Sequence, residues 1–420
     1  MAETSSAEFP RAERVLGGLN SAVTDLAALY KDLHAHPELS FQEHRTAYLV
    51  SSHLSAYGYH VLTGVGGTGV VGVKANGPGR TVLLRADMDA LPVSERTGLP
   101  YASSVHATAG SGDGTEVPVM HACGHDMHVT AMIGAARLLA QALEHWQGTV
   151  IVVFQPSEET GKGARTMVSD GLYEKVPRPH VVLGQHISSL AAGTLGYCPG
   201  PAMSAASSLH VRLFGRGGHA ALPHAAVDPV VMAASTVMRL QTVTSREVGL
   251  NEQALVTVGS LNAGSKDNVI PDEAELTVNV RTFDERVHSR ILKAVRRIIN
   301  AEAAASAAPR EPEITPLTHF PVTVNDPEVT AHTVVAFEAF FGKENVNKLP
   351  PTPISEDFTE LASPIGVPSF YWHFGGLDPR GPHSTADVPG PHSPRFAPVI
   401  EPTLSTAVQA AVVAALTWLN

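Results

Sequence analysis

Cysteine is scarce in this chain, with only Cys123 and Cys198 among 420 residues. Two thiols build no disulfide framework, which agrees with a reducing compartment. Positive charge is also short, at 29 Lys and Arg against 40 Asp and Glu. No basic cluster occurs, and this argues against a nucleic-acid partner. Long apolar runs are missing too. The longest, such as residues 150–154, fall far short of a membrane span. The opening MAETSSAEFPRAER has no apolar signal core, so the expectation is a cytoplasmic protein with no membrane partner. There is no G-x-S-x-G, so a serine hydrolase with a nucleophile elbow is unattractive. Neither a solenoid repeat nor a long low-complexity tract appears.

What remains is a globular composition, 44% hydrophobic and 16% charged, long enough for two or three domains. Residues 16–57 read as helical with a break at His36-Pro37, and 61–84 as strands separated by glycine turns. The piece GVGGTG at 64–69 has the spacing of a dinucleotide site, but strand and turn follow where a helix is needed. Tight turns are the better reading. Near-continuous apolar strands at 81–85, 149–155 and 180–186 alternate with helices, which predicts a mostly parallel sheet covered on both faces. Beyond a Gly, Ala and Ser-rich hinge at 191–206 the order becomes strand, helix, strand, strand, helix, strand, ending at 312–315. That is a ferredoxin-like arrangement. The expected division is therefore a main α/β/α domain at 1–200 and 318–420, with an inserted α+β domain at 201–317.

The densest chemistry lies at 120–128, MHACGHDMH, which offers a thiol, three imidazoles and a carboxylate in nine residues. Such a mixture suits a metal ion. An amphipathic helix follows, with Val129, Met132, Ile133, Ala136, Leu139, Ala140 and Leu143 at three- and four-residue steps. The run therefore sits ahead of a helix N-terminus, a position that favours an ionised cysteine. The plain alternative is a histidine-rich turn with a buried structural cysteine. Asp87, Asp89, Glu158, Glu159 and His186 fall at the carboxyl ends of predicted strands, where open α/β sheets bind ligands. Adjacent carboxylates can divide the work, one holding metal and the other moving a proton. A solvated surface pair is the commoner origin of two neighbouring glutamates, and His186 or His392 alone carries no signal.

As a set, MHACGHDMH, QPSEETGKGA, GQHI, GRGGHAALPH, NVIPDEAEL and GPHSPRF are similar to the amidohydrolase branch of the di-metal aminoacylase and carboxypeptidase-like hydrolases. Hippurate hydrolases, N-acyl-amino-acid amidohydrolases and indole-acetyl-amino-acid hydrolases belong to that branch. The resemblance runs from about residue 34 to the C-terminus. It implies that Cys123, His125, Glu159, His186 and His392 share two divalent ions, zinc or manganese with cobalt as a further choice. It also implies that Glu158 is the general base for a metal-activated water, and that His219 steadies the oxyanion. Asn268 and Arg281 would grip the carboxylate of the substrate. Where many relatives have H-x-D, this chain has Arg85-Ala86-Asp87. Arginine cannot ligate, so the cysteine takes over, and Asp87 and Asp89 orient a ligand from behind or merely cap turns. The implied activity is hydrolysis of the amide of an N-acyl amino acid by a homodimer joined through the inserted domain. Closure about the two linkers would gate access, with the loop at 101–119 forming part of the pocket wall. A dipeptidase or aminopeptidase is the alternative within the class, and an inactive metal-binding regulator the alternative outside it.

Overall fold

Strands with no polar alternation become strands buried on both faces, and Thr81–Asp87 is buried at every residue. The computed structural model describes residues 10–109, 114–378 and 388–420. The described residues form two compact units, the first from Met1–Gly200, Val324–Pro350 and Asp357–Asn420, the second from Pro201–Thr323 and Pro351–Glu356.

The first unit is built on eight strands: β1 (His60–Val65), β2 (Gly69–Asn76), β3 (Thr81–Asp87), β4 (Gly148–Gln155), β5 (Val181–Ala191), β6 (Leu195–Tyr197), β7 (Val346–Lys348) and β8 (Ser369–Leu377). They lie in the order β1-β2-β4-β3-β5-β8-β6-β7. The four central strands, β4-β3-β5-β8, pair in parallel. The β1-β2, β2-β4 and β8-β6 pairs are antiparallel, so the sheet is mixed and mostly parallel. GVGGTG closes the β1-β2 hairpin, with Gly64, Gly66 and Gly67 at positive φ, which agrees with tight turns.

The longer helices of this unit are α1 (Leu19–Ala35), α2 (His44–Ala56), α3 (His125–Gln141), α4 (Gly163–Ser169), α5 (Pro327–Phe341) and α6 (Thr403–Trp418). The helix α3 differs from its expected amphipathic form. It is buried on nearly every face, because α1, α2, α6 and β3 all contact it. A helix apolar all round belongs in a core, and α3 joins Leu26, Val408, Trp372 and Phe374 in one cluster. It also ends earlier than expected, and Leu143 falls in a separate short turn.

In the second unit, strands Ala254–Ala263, Glu273–Thr282, Ala205–Phe214 and Glu313–Phe320 form one antiparallel sheet in that order. Helices Pro229–Leu240 and Glu285–Ala305 share its core, with Met232, Ile291 and Ile299 fully buried beside Leu276. Along the chain this is strand, helix, strand, strand, helix, strand. The last strand outruns its expected end and pairs His319 with Ser207. Residues 318–323 and 351–356, read in the sequence as part of the first domain, therefore belong to the second unit. The expected loop at 101–119 runs partly outside the described residues, as does the opening segment. No helix among the described residues is long and apolar enough to cross a membrane.

Candidate active site

The carboxyl ends of the parallel strands deliver most of the predicted residues to one place. Strand β3 ends on Asp87 and leads to Asp89, β4 leads to Glu158 and Glu159, and β5 carries His186. Cys123 lies just ahead of α3, and His125 is that helix's first residue. Between them Gly124 has φ +80, and a Cβ there would meet Ile187 Cγ2 at 2.6 Å. Only glycine suits so close a left-handed turn, so the spacing C-G-H is a backbone requirement. His392 arrives from the far end of the chain, its N–H donating to the carbonyl of Ala122 at 2.7 Å.

Donor atoms of Cys123, Glu159 and His392 lie within 4.8 Å of one another, as do those of His125, Glu158 and Glu159. Cys123 Sγ is 3.4 Å from His186 Nε2, and Glu159 Oε2 is 3.5 Å from His392 Nε2. The sites expected for Cys123, His125, Glu159, His186 and His392 are thus continuous in space. The arrangement fits divalent ions on a further observation. His125 Nε2 and Glu159 Oε1 are buried without a hydrogen-bond partner, 3.9 Å apart. Buried polar atoms are otherwise almost always satisfied. The opposite nitrogens of the His125 and His186 imidazoles donate to carbonyls, His125 Nδ1 to Asp89 O at 2.9 Å and His186 Nδ1 to Ile187 O at 2.5 Å. That is how metal-binding histidines are held, with the other nitrogen aimed at the ion.

Charge in the cluster is poised the same way. Burial, then the carboxylates of Glu159, Glu158 and Asp87, push the Cys123 thiol well above its ordinary value. The expected helix-terminus activation is overridden, because desolvation and three anions outweigh the helix dipole. A cation is what would ionise this sulfur. Burial alone would lower His125, but Asp87, Asp89 and Glu159 together raise it to about 10. His392 is raised by its contact with Glu159. His186 is held well below its usual range by burial and by neighbouring His128.

Asp89 accepts from the N–H groups of Glu158 and Glu159, each at 3.1 Å, and from Ser40 Oγ at 2.7 Å. It orients the two glutamates through their backbone and His125 through its own carbonyl. Asp87 is placed differently. Burial would raise its pKa, but the Arg85 guanidinium with His125 and His128 holds it well below the carboxylate range. One oxygen accepts from Arg85 at 2.8 Å and the other from His128 Nδ1 at 2.5 Å. Arg85 also reaches Gln155 and Asp357, so its charge is fully compensated though buried. His128, three residues beyond His125 on α3, also belongs to this cluster and had no sequence role beyond its motif. Its Nε2 accepts from the Ile187 N–H at 2.8 Å, so both nitrogens are committed to protein partners.

Behind α3, His34 Nδ1 meets Asp126 at 2.7 Å and its Nε2 meets Glu95 at 3.1 Å. Sequence reading gave no sign of this buried bridge, since its members are far apart in the chain.

His219, Asn268 and Arg281 belong to the second unit. His219 is exposed and pairs with Val269 in a two-residue ladder. The adjacent Ala220 N–H donates to Asn268 O at 3.1 Å, so these two residues are neighbours. Arg281 lies on strand Glu273–Thr282 and donates to Pro353 O at 2.6 Å and to Asn279 Oδ1 at 3.1 Å.

The chain is similar to known proteins over most of its length. The chain is 37% identical over 329 residues to hippurate hydrolase of Campylobacter jejuni, covering 78% of this chain and 82% of that protein. It is 34% identical over 372 residues to N-acetyl-L-cysteine deacetylase of Bacillus subtilis, covering 88% and 85%. The crystal structure of Bacillus subtilis YXEP, described as a dinuclear metal-binding peptidase of the M20 family, superposes with a TM-score of 0.73 at 29% identity, covering 95% of this chain and 99% of that one. Residues 83–411 match the model of Peptidase family M20/M25/M40. With its fold and most of its length in common with these proteins, the chain belongs to Peptidase family M20/M25/M40.

Proposed function

We propose that this protein hydrolyses the amide bond of N-acyl amino acids. The observation that carries the reading is the meeting of Cys123, Glu159 and His392 around one point, with His125 and Glu158 alongside. In this reading Cys123, His125, Glu159, His186 and His392 hold two divalent ions, zinc or manganese, with cobalt also suited to the mixed donor set. When bound, such ions supply a water acidic enough to attack at neutral pH and a Lewis acid for the carbonyl oxygen.

The protein's own residues then divide the rest. Glu158, which is buried beside Glu159, takes the proton from the attacking water and later delivers it to the leaving nitrogen. His219 donates to the developing oxyanion, and Arg281 and Asn268 bind the substrate carboxylate. Asp89 keeps Glu158 and Glu159 aimed, and Asp87 steadies the cluster through His128. The second unit is also the surface through which we place a homodimer, and the cytoplasm is the assigned location.

The test is a hydrolysis panel of N-acyl amino acids against free-amine dipeptides, with zinc, manganese or cobalt added. Turnover confined to the acylated substrates is expected. Turnover confined to free amines would instead assign a dipeptidase or aminopeptidase. Bound metal with no turnover on any amide would assign a binding protein.

A further inference from the structure

The Glu158–Glu159 pair is preceded by Ser157, a non-glycine residue at φ +52. Left-handed backbone is costly for such a residue and persists only where its surroundings impose it. Here the imposing group comes from the residue that precedes α2. Glu43, fully buried just ahead of α2, accepts the Ser157 N–H on Oε1 at 2.8 Å. The same oxygen accepts the N–H of Phe41 at 2.9 Å, and Phe41 is itself left-handed at φ +61. The second carboxylate oxygen accepts from Thr68 Oγ1 in the β1-β2 hairpin. One side chain therefore fixes two strained residues and ties them to a third element. With Asp89 holding the next two amides, three successive N–H groups at 157–159 are captured by two buried carboxylates.

We propose that Glu43 is a positioning residue for the reaction, which sets the aim of Glu158 and Glu159 by holding Ser157 in its left-handed conformation. It touches neither substrate nor metal ligands and acts through the backbone. The proposal rests on the roles given above to Glu158 and Glu159, and it makes a demand that mere fold stability does not. What matters is the reach of the acceptor rather than its charge. Glutamine retains an oxygen for both amides and an N–H₂ that meets the Thr68 hydroxyl. Aspartate keeps the charge but stops one methylene short.

The test compares full-length Glu43→Gln and Glu43→Asp with the wild-type protein. Three quantities are read: kcat and KM on hippurate, cobalt(II) binding by visible absorption, and the thermal midpoint. Glu43→Gln is expected to keep kcat within about threefold and to leave the cobalt spectrum unchanged. Glu43→Asp is expected to lose kcat about thirtyfold or more with KM within about threefold, since small misplacements of reacting groups are costly. Its cobalt affinity is expected to fall about tenfold, the size of effect seen when a ligand's support is removed. The reverse ranking, or losses in both variants that simply follow the thermal midpoint, overturns the proposal. Ser157→Val leaves Glu43 in place but resists left-handed backbone, so it should reproduce the aspartate losses. Wild-type turnover and cobalt binding in Ser157→Val would overturn the proposal even if Glu43→Asp failed to fold. The cobalt comparison needs no substrate. A wild-type protein inert toward every amide would sink the proposed function and still leave this inference decided by cobalt.

Discussion

The backbone N–H of His392 donates to the carbonyl of Ala122 at 2.7 Å. This single bond seats a late loop beside the loop of Cys123, and His392, at φ +69, bends back toward Glu159. A residue remote in sequence thus enters the donor cluster through main-chain pairing as well as through its side chain.

His392 is therefore separable from the fold. Its side chain is 59% exposed, so His392→Ala should change stability by no more than about 0.5 kcal/mol, as ordinary surface substitutions do. Metal content measured by elemental analysis should fall from two ions toward one. Retention of both ions would remove His392 from the ligand set.

Glu158→Gln should keep its metal and lower turnover by about a hundredfold or more, the usual cost of losing a general base. The paired measurements are kcat and metal stoichiometry on the same preparation. Near-normal activity would refute the assignment of Glu158.

For His219→Ala, turnover should fall with metal content unchanged, because the proposed role of the imidazole is toward the oxyanion rather than the ions. Loss of an ion in this variant would make His219 a ligand.

Gly124→Ala should damage both fold and site. A Cβ at φ +80 would lie 2.6 Å from Ile187 Cγ2, and the combined strain and overlap should cost about 2–4 kcal/mol. Urea denaturation of the metal-free protein would measure it, and an unchanged midpoint would contradict the close packing described here.

The His34 bridge gives a pH dependence of definite sign. Burial opposes the charged ring, but Asp126 and Glu95 raise its pKa to about 10. A folded value above the unfolded one, about 6.5, means that the stabilisation is complete below that lower value. It is lost as pH rises through the folded value. His34→Gln should therefore cost about 3–5 kcal/mol near pH 6, the range for breaking a buried pair, and much less near pH 10. Urea midpoints of both proteins at the two pH values would show it. A penalty that grew with pH would reverse the assignment.

The parts of the site that were legible in the sequence are local ones. MHACGHDMH announces its donors because they sit close together in the chain, and the apolar strands announce the ends where Asp87, Glu158 and Glu159 stand, whereas the strand expected to stop at His186 runs on to Ala191 and carries that residue in its middle. His392 was legible only through family likeness, since nothing in PHSPRF points inward. Glu43, Arg85 and His34 act through partners far away in the chain, and hydrophobic periodicity carries no information about such pairings. His128 left one trace, its three-residue step from His125 on the same helix face. The full burial of α3 was illegible for a related reason. Its polar first turn looks solvent-facing until α1, α2 and α6 are folded over it.

Asp89 ties a strand terminus to the peptide groups of both glutamates, and its own carbonyl to an imidazole. The Glu158 carboxylate, the Glu159 carboxylate and the His125 ring are in that way fastened to one rivet. They cannot drift apart gradually. Loosening that joint would misalign all three together, so tolerance to change here should be nearly all-or-nothing.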